Sequence, residues 1–263
     1  MLKRFLPMIL FLPLILAACQ GPAPEKKAEI TREQLQALLK QNPKLLLDVL
    51  AQNKVALYDL VAEGERIKQH QRWLQSIDQG LRSPALPKLE PGRPWHGRPD
   101  AQLAIVEYSD FLCSSCAIGA ENVAQLLKKH PDKFKVLLKH NPASELGQRI
   151  AVYFEAIGRQ SPDKAWQFYY RVFQEQRRLQ KQGLAAAQQI AVGLGLDKAR
   201  LAKDLADPAL AQRVQQDLDE AAGFNLDGTP SYMVAGVTVR GAAPVSAFEE
   251  ILAAWQKMKK AGK

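Results

Sequence analysis

Residues 102–116 read QLAIVEYSDFLCSSC. Within them, 104–108 is a short, mostly apolar and β-branched run, the pattern of a buried strand. Ser109 and Asp110 mark a turn, and Phe111 and Leu112 lead into Cys113-Ser114-Ser115-Cys116. Residues 117–129 are good helix formers. The first cysteine therefore sits at a strand-to-helix junction, where free backbone N–H groups and the positive end of the helix dipole favour a thiolate. The pattern reads as a redox-active dithiol.

The chain around it has 263 residues, 47% of them hydrophobic, enough for one full-sized core plus an appendage. The formal charge of +9 is spread along the chain, with a small cluster at Lys257, Lys259, Lys260 and Lys263. It reads as a solvated surface, and without any RNA- or DNA-binding motif no nucleic-acid partner is expected. The three cysteines are Cys19, Cys113 and Cys116, and an odd count in an exported protein leaves one thiol to explain. The N-terminus explains it. Lys3 and Arg4 precede an apolar stretch over 5–16 and small residues up to Cys19, the layout of a secretory signal too short for a good membrane span. Loss of that signal leaves a charge of +7, since Lys3 and Arg4 go with it and no acid does. Leu16-Ala17-Ala18-Cys19 resembles the lipobox of bacterial lipoproteins. That resemblance implies cleavage before Cys19, lipidation of Cys19 and, with Gln20 following, sorting to the outer membrane of a Gram-negative cell. Several acyl chains anchor stably where one binds only marginally. A plain signal peptide with a chance cysteine is the alternative.

The expected organisation is a lipoprotein signal peptide over 1–18, a polar tether over 19–29, a helical oligomerisation stalk over 30–82 and a Pro-rich linker over 83–99. A first catalytic half over 100–142, a helical insertion over 143–223 and a second half over 224–263 follow. In the stalk, Thr31 and Gln34 fit a capping box, and Asn42-Pro43 breaks one helix and starts another. Seven-residue steps from Leu46 meet Asn53, Leu60, Ile67, Leu74 and Leu81, one apolar seam with Asn53 as a register residue. The companion seam through Leu50 and Leu57 fails at Gly64, Gln71 and Asp78, so an amphipathic helix packed on its own domain is the alternative. Five prolines between 83 and 99 argue against regular structure there.

Beyond the dithiol helix, 134–138 reads as a second strand, making a βαβ unit with parallel strands. Helical spacing marks 145–160, 163–176, 183–194, 197–205 and 208–222, and the aromatic-rich 165–173 reads as the core of this block. Residues 228–234 return to strand, Ala235-Gly236 is a hairpin turn, 237–240 is the partner strand, and 245–260 is a closing amphipathic helix.

This order, with Cys-x-x-Cys after the first strand and Thr229-Pro230 before the third, resembles the thioredoxin fold. The inserted helices make it similar to DsbA-like thiol–disulfide oxidoreductases. The resemblance implies an α/β thioredoxin fold with an inserted α-helical domain, preceded by an N-terminal helical extension. It implies Cys113 as exposed nucleophile, Cys116 as resolving thiol, a cis Pro230 facing them with Thr229-Pro230 pairing to substrate backbone, and Glu107 as the acid beneath the disulfide. The family's basic partner on the second strand does not align cleanly with Lys139 or His140. The extension resembles that of the suppressor-of-copper-sensitivity C proteins (ScsC), some of which oligomerise and isomerise disulfides. The implied partners are exported cysteine-containing proteins, a membrane redox protein that recharges the dithiol, and further copies of the chain. The implied location is periplasm-facing and lipid-anchored.

Chemistry supports the same reading. Exchange runs through a mixed disulfide, which needs one low-pKa thiol and a neighbour to resolve it. Two intervening residues on a first helical turn bring the sulfurs within bonding range. The Ser114-Ser115 spacer offers hydroxyls but no cation, so a potential between those of thioredoxin and DsbA is expected. A zinc site lacks the two further ligands, and His70, His96, His130 and His140 read as surface or loop residues. A structural disulfide closing two residues would constrain little. The alternative function is a periplasmic Cu(I)-binding protein using the same two thiolates. No cofactor and no other metal are expected.

Overall fold

The structure, a computed structural model, describes residues 30–262. Cys19, with the expected signal and tether, lies outside them. Two compact units part at Gly64 and Glu65.

The first unit holds α1 (Arg32–Gln41), α2 (Pro43–Gln52) and the start of α3 (Lys54–Arg82). The Gln34 amide donates to Thr31 Oγ1 at 3.3 Å and the Thr31 amide to Gln34 Oε1 at 2.9 Å, a reciprocal cap for α1. Pro43 starts α2, where its missing N–H goes unneeded. Asn53 is not a mid-helix register residue: its side-chain amide donates to Val49 O at 2.8 Å, ending α2 before α3 begins. Among the described residues of this unit none is buried, and Leu46, Leu47, Val55, Tyr58, Leu60 and Val61 are all exposed.

The second unit begins within α3, whose Ile77 and Leu81 are buried in the main core. The end of the expected stalk is thus a packed part of the catalytic body. The proline-dense stretch is not devoid of regular structure either. It carries β1 (Trp95–Gly97), which pairs antiparallel with β3 (Phe134–His140). Prolines flank this strand without interrupting it, and an edge position needs ladder hydrogen bonds on one side only.

The sheet runs β1-β3-β2-β4-β5, with β2 (Leu103–Ser109), β4 (Ser231–Val234) and β5 (Val237–Arg240). β2 and β3 are parallel, joined through α4 (Ser114–Lys129), and the other pairs are antiparallel. Ala235 and Gly236 both have positive φ, 50° and 89°, as a tight two-residue hairpin turn requires. α11 (Val245–Ala261) closes the unit. Between the halves lie α5 (Glu145–Gln160), α6 (Pro162–Gln174), α7 (Gln176–Gln182), α8 (Leu184–Val192), α9 (Lys198–Leu205) and α10 (Pro208–Gly223). The polar α7 has no counterpart in the sequence reading.

Strand alternation divides the core. Ile105, Val136, Leu138, Tyr232 and Val234 join Val123 and Leu126 of α4, Phe154 and Phe168 of the insertion, and Phe248 and Ile251 of α11. Val106, Tyr108, Leu137 and Met233 form a smaller cluster with Ala221 of α10 and Leu226. Each such apolar side chain contributes roughly 1.5–3 kcal/mol when fully buried. Trp166, Phe168, Tyr169 and Phe173 are all buried, so the aromatic block is core. Among the described residues, no helix is long and apolar enough to cross a membrane.

Candidate active site

Cys113 is the N-cap of α4, with extended φ/ψ of −79° and 124°. The turn that delivers it is held at several points. Asp110 Oδ1 accepts from the Leu112 amide at 2.9 Å, its Oδ2 accepts from the Ala143 amide at 3.1 Å, and its carbonyl accepts from the Cys113 amide at 3.0 Å. Phe111 is buried among Phe154, Phe168, Tyr169 and Phe173, with ring centroids 5.4–6.1 Å apart. From α7, Gln176 Nε2 donates to the carbonyls of Phe111 and Cys113, both at 2.9 Å. The inserted helices therefore pin the dithiol loop.

Both cysteines are free thiols, and their surroundings differ. Cys113 is half-buried. Its thiol donates to Thr229 O at 3.4 Å and lies 3.5 Å from Ser115 Oγ. Burial opposes ionisation, but Ser115, Thr229 and the amide and thiol of Cys116 together bring Cys113 below its usual pKa. Cys116 is fully buried, and its sulfur accepts from the Asp110 amide at 3.5 Å. Burial pushes its thiol up to about 12. The two thiols thus differ in both exposure and acidity.

The Thr229–Pro230 peptide is cis and lies beside the start of α4. Gly119 is needed for this approach. A Cβ there would fall 3.0 Å from Pro230 Cγ and 2.3 Å from Tyr232 Oη. Glu107, in the middle of β2, is fully buried, and the Tyr169 hydroxyl donates to its two carboxyl oxygens at 2.8 and 3.0 Å. Burial outweighs Tyr169 and Ser109 and raises the Glu107 carboxyl to about 7. The structure thus gathers Cys113, Cys116, Thr229 and Pro230 at one strand-to-helix junction, with Glu107 inside the body.

His140 is not a surface or loop residue. It is buried in β3, 3.0 Å from Glu155 through Nε2, and its amide donates to Asp217 Oδ2 at 3.0 Å. Lys139, equally buried, pairs with Glu220 and with Glu90 at 3.1 Å. By alternation Lys139 points to the sheet face opposite Glu107, so it is not that residue's partner. The hub of this network is Arg93, wholly enclosed. Its guanidinium grips Asp217 through two bonds of 2.9 and 2.5 Å and reaches Glu155 at 3.4 Å and Glu90 at 3.0 Å. Burial opposes ionisation of Glu155, yet His140, Arg93 and Arg213 hold it at about 2. Among the described residues, no cluster of His, Cys, Asp and Glu is arranged to hold a metal ion.

Fold and site together define a thioredoxin-fold dithiol protein with a helical insertion. The thioredoxin family profile matches residues 89–254, and the chain belongs to that family. Over 187 residues it is 31% identical to the Na(+)/H(+) antiporter NhaA of Herminiimonas arsenicoxydans; the match takes in 70% of this chain and spans only 29% of that protein. It is 29% identical to the probable disulfide bond formation protein D of Bacillus anthracis, covering 53% of this chain and 68% of that one. The ScsC structure from Proteus mirabilis superposes with a TM-score of 0.54 at 19% identity, covering 84% of this chain and 97% of that one.

Proposed function

We propose that this chain is a thiol–disulfide oxidoreductase that forms or isomerises disulfides in exported, cysteine-containing proteins. The observation that carries this reading is the asymmetry of the pair: a half-exposed Cys113 with a lowered pKa beside a buried Cys116 with a raised one. In the oxidising direction a substrate thiolate attacks Cys113 Sγ of the Cys113–Cys116 disulfide. The bond between the cysteines breaks, a substrate–Cys113 disulfide forms, and Cys116 leaves as a thiolate that takes up a proton. A second substrate thiolate then attacks the substrate sulfur, completing the substrate disulfide and expelling the Cys113 thiolate. Two electrons pass from substrate to dithiol, and stabilisation of the departing Cys113 thiolate favours that direction. Isomerisation starts instead from reduced Cys113. The Thr229–Pro230 segment beside Cys113 is the place for substrate backbone, and a membrane redox protein recharges the dithiol. Lipid on Cys19 would keep the protein facing the periplasm, with the outer membrane favoured.

Purified protein is expected to oxidise a dithiol peptide or reactivate scrambled ribonuclease, with both activities lost in Cys113→Ala. Absence of both activities in the unaltered protein would sink the reading.

The direction of the reaction is tied to self-association of residues 30–64. Their apolar side chains are exposed, and burying them against a second copy would supply the driving force that the unit lacks by itself. A shielded, reduced Cys113 suits an isomerase. Sedimentation is expected to give an oligomer for the full chain and a monomer after deletion of 30–64, which leaves Ile77 and Leu81 in the core. The deletion is expected to lower isomerase and raise oxidase activity. A monomeric full chain removes the basis for the isomerase direction.

A further inference from the structure

Behind Cys116 lie two buried hydroxyls that have no hydrogen-bond partner. Glu107 and Ser109 stand two residues apart on β2, so both side chains take the same face of the sheet. Tyr232 stands directly opposite Glu107 across the β2–β4 ladder. The Cys116 sulfur reaches the same end of β2, where it accepts the amide of Asp110, the residue after Ser109. Ser109 Oγ and Tyr232 Oη are enclosed and unpartnered. An orphaned buried hydroxyl costs stability, so a bond made at another stage of the reaction is its natural use. Ser109 shares the Glu107 face of β2 and directly precedes the amide that the Cys116 sulfur accepts, which places this residue between the two groups, and against desolvation it favours the ionised form of each.

Resting on the dithiol chemistry proposed above, we infer that the Ser109 hydroxyl carries the proton between the Glu107 carboxyl and the Cys116 sulfur, while Tyr232 encloses the path from β4. In the resolving step the Cys116 thiol gives its proton to Ser109 Oγ as Ser109 passes its own to the Glu107 carboxylate. The Cys116 thiolate attacks Cys113 Sγ in the mixed disulfide, the Cys113–Cys116 bond forms, and the substrate leaves as a thiolate. In the reverse direction the departing Cys116 thiolate is protonated along the same path. The other titratable groups facing Glu107 are Tyr169 and Tyr170 of α6 and Tyr232 of β4, and burial keeps all three neutral.

Reduced full-length protein mixed with the aromatic disulfide dithiobisnitrobenzoate should release coloured thiolate in two phases. The first reports attack by Cys113, the second attack by Cys116 on the mixed disulfide. Ser109→Ala is expected to leave the first phase unchanged and slow the second about tenfold at pH 8, within what a positioned proton carrier supplies. The rise of the second phase through pH 7 should vanish with it. Ser109→Thr, which keeps a hydroxyl, should retain the fast second phase, and Ser109→Ala added to Glu107→Gln should slow it no further. An unchanged second phase in Ser109→Ala, a Thr variant as slow as the Ala variant, or fully additive effects with Glu107→Gln would each overturn the relay. No second phase in the unaltered protein would instead overturn the dithiol exchange itself.

Discussion

Arg93→Leu is expected to lower folding stability by about 3–5 kcal/mol, the range for removing one partner of a buried ion pair. The guanidinium is wholly enclosed and faces Asp217, Glu155 and Glu90, while also donating to Leu138 O at 3.3 Å. Without it, Asp217 and Glu155 must stay charged and uncompensated or take up protons. Asp217, which burial already raises, would go up further, and Glu155 would lose part of what holds it low, so the loss is largest near neutral pH and shrinks as pH falls through the raised values. Urea unfolding at pH 5 and pH 8 reads both size and sign. Adding Asp217→Asn removes the most closely paired of the stranded charges and should recover part of the loss. A near-neutral Arg93→Leu would mean that Arg213 and His140 compensate Glu155 unaided. The effect should reach the site, because the His140 ring lies tilted against Phe111, with centroids 6.1 Å apart, and Phe111 anchors the loop that presents Cys113.

That network marks the line between what the chain displays and what only folding reveals. The first strand, the dithiol helix and the Thr-Pro loop are local signals: a β-branched run, a two-residue spacer, a proline at a fixed place. Arg93 and Asp217 are 124 residues apart, and nothing near either announces the other. Lys139 and His140 end an apolar strand and would leave an ammonium and an imidazole in the core; their acceptors come from α5, α10 and the stretch before β1. β1 is hidden because prolines dominate its surroundings and three residues carry no periodicity. The leucine seam reads as continuous because residue spacing does not register the break at Asn53 or the burial of Ile77 and Leu81. Ser109 was within reach, since it lies two positions from Glu107 on a strand and therefore on its face. Tyr232 needed the cross-strand register.

Glu107→Gln is expected to stabilise the protein while slowing it. In the folded chain burial disfavours the carboxylate charge and pushes the carboxyl from its ordinary 4.5 up to about 7. The raised folded value means that the native state holds the proton more tightly than the unfolded chain does. Stability attributable to this group is therefore complete below pH 4.5 and falls away as pH rises to about 7. At pH 8 the native protein bears a buried anion, and the neutral amide should gain roughly 3 kcal/mol over it. At pH 4 the two proteins should differ little from this source, and urea unfolding at the two pH values checks the difference. The same substitution removes the base proposed to accept the Cys116 proton, and the resolving step at pH 8 should slow about a hundredfold, the lower range of general acid–base contributions. A carboxyl kept only for packing would show the stability gain without the kinetic loss. One kept as a counter-charge would show a stability loss. Gain in stability together with loss of resolution is the outcome specific to an acid buried at a cost for its proton.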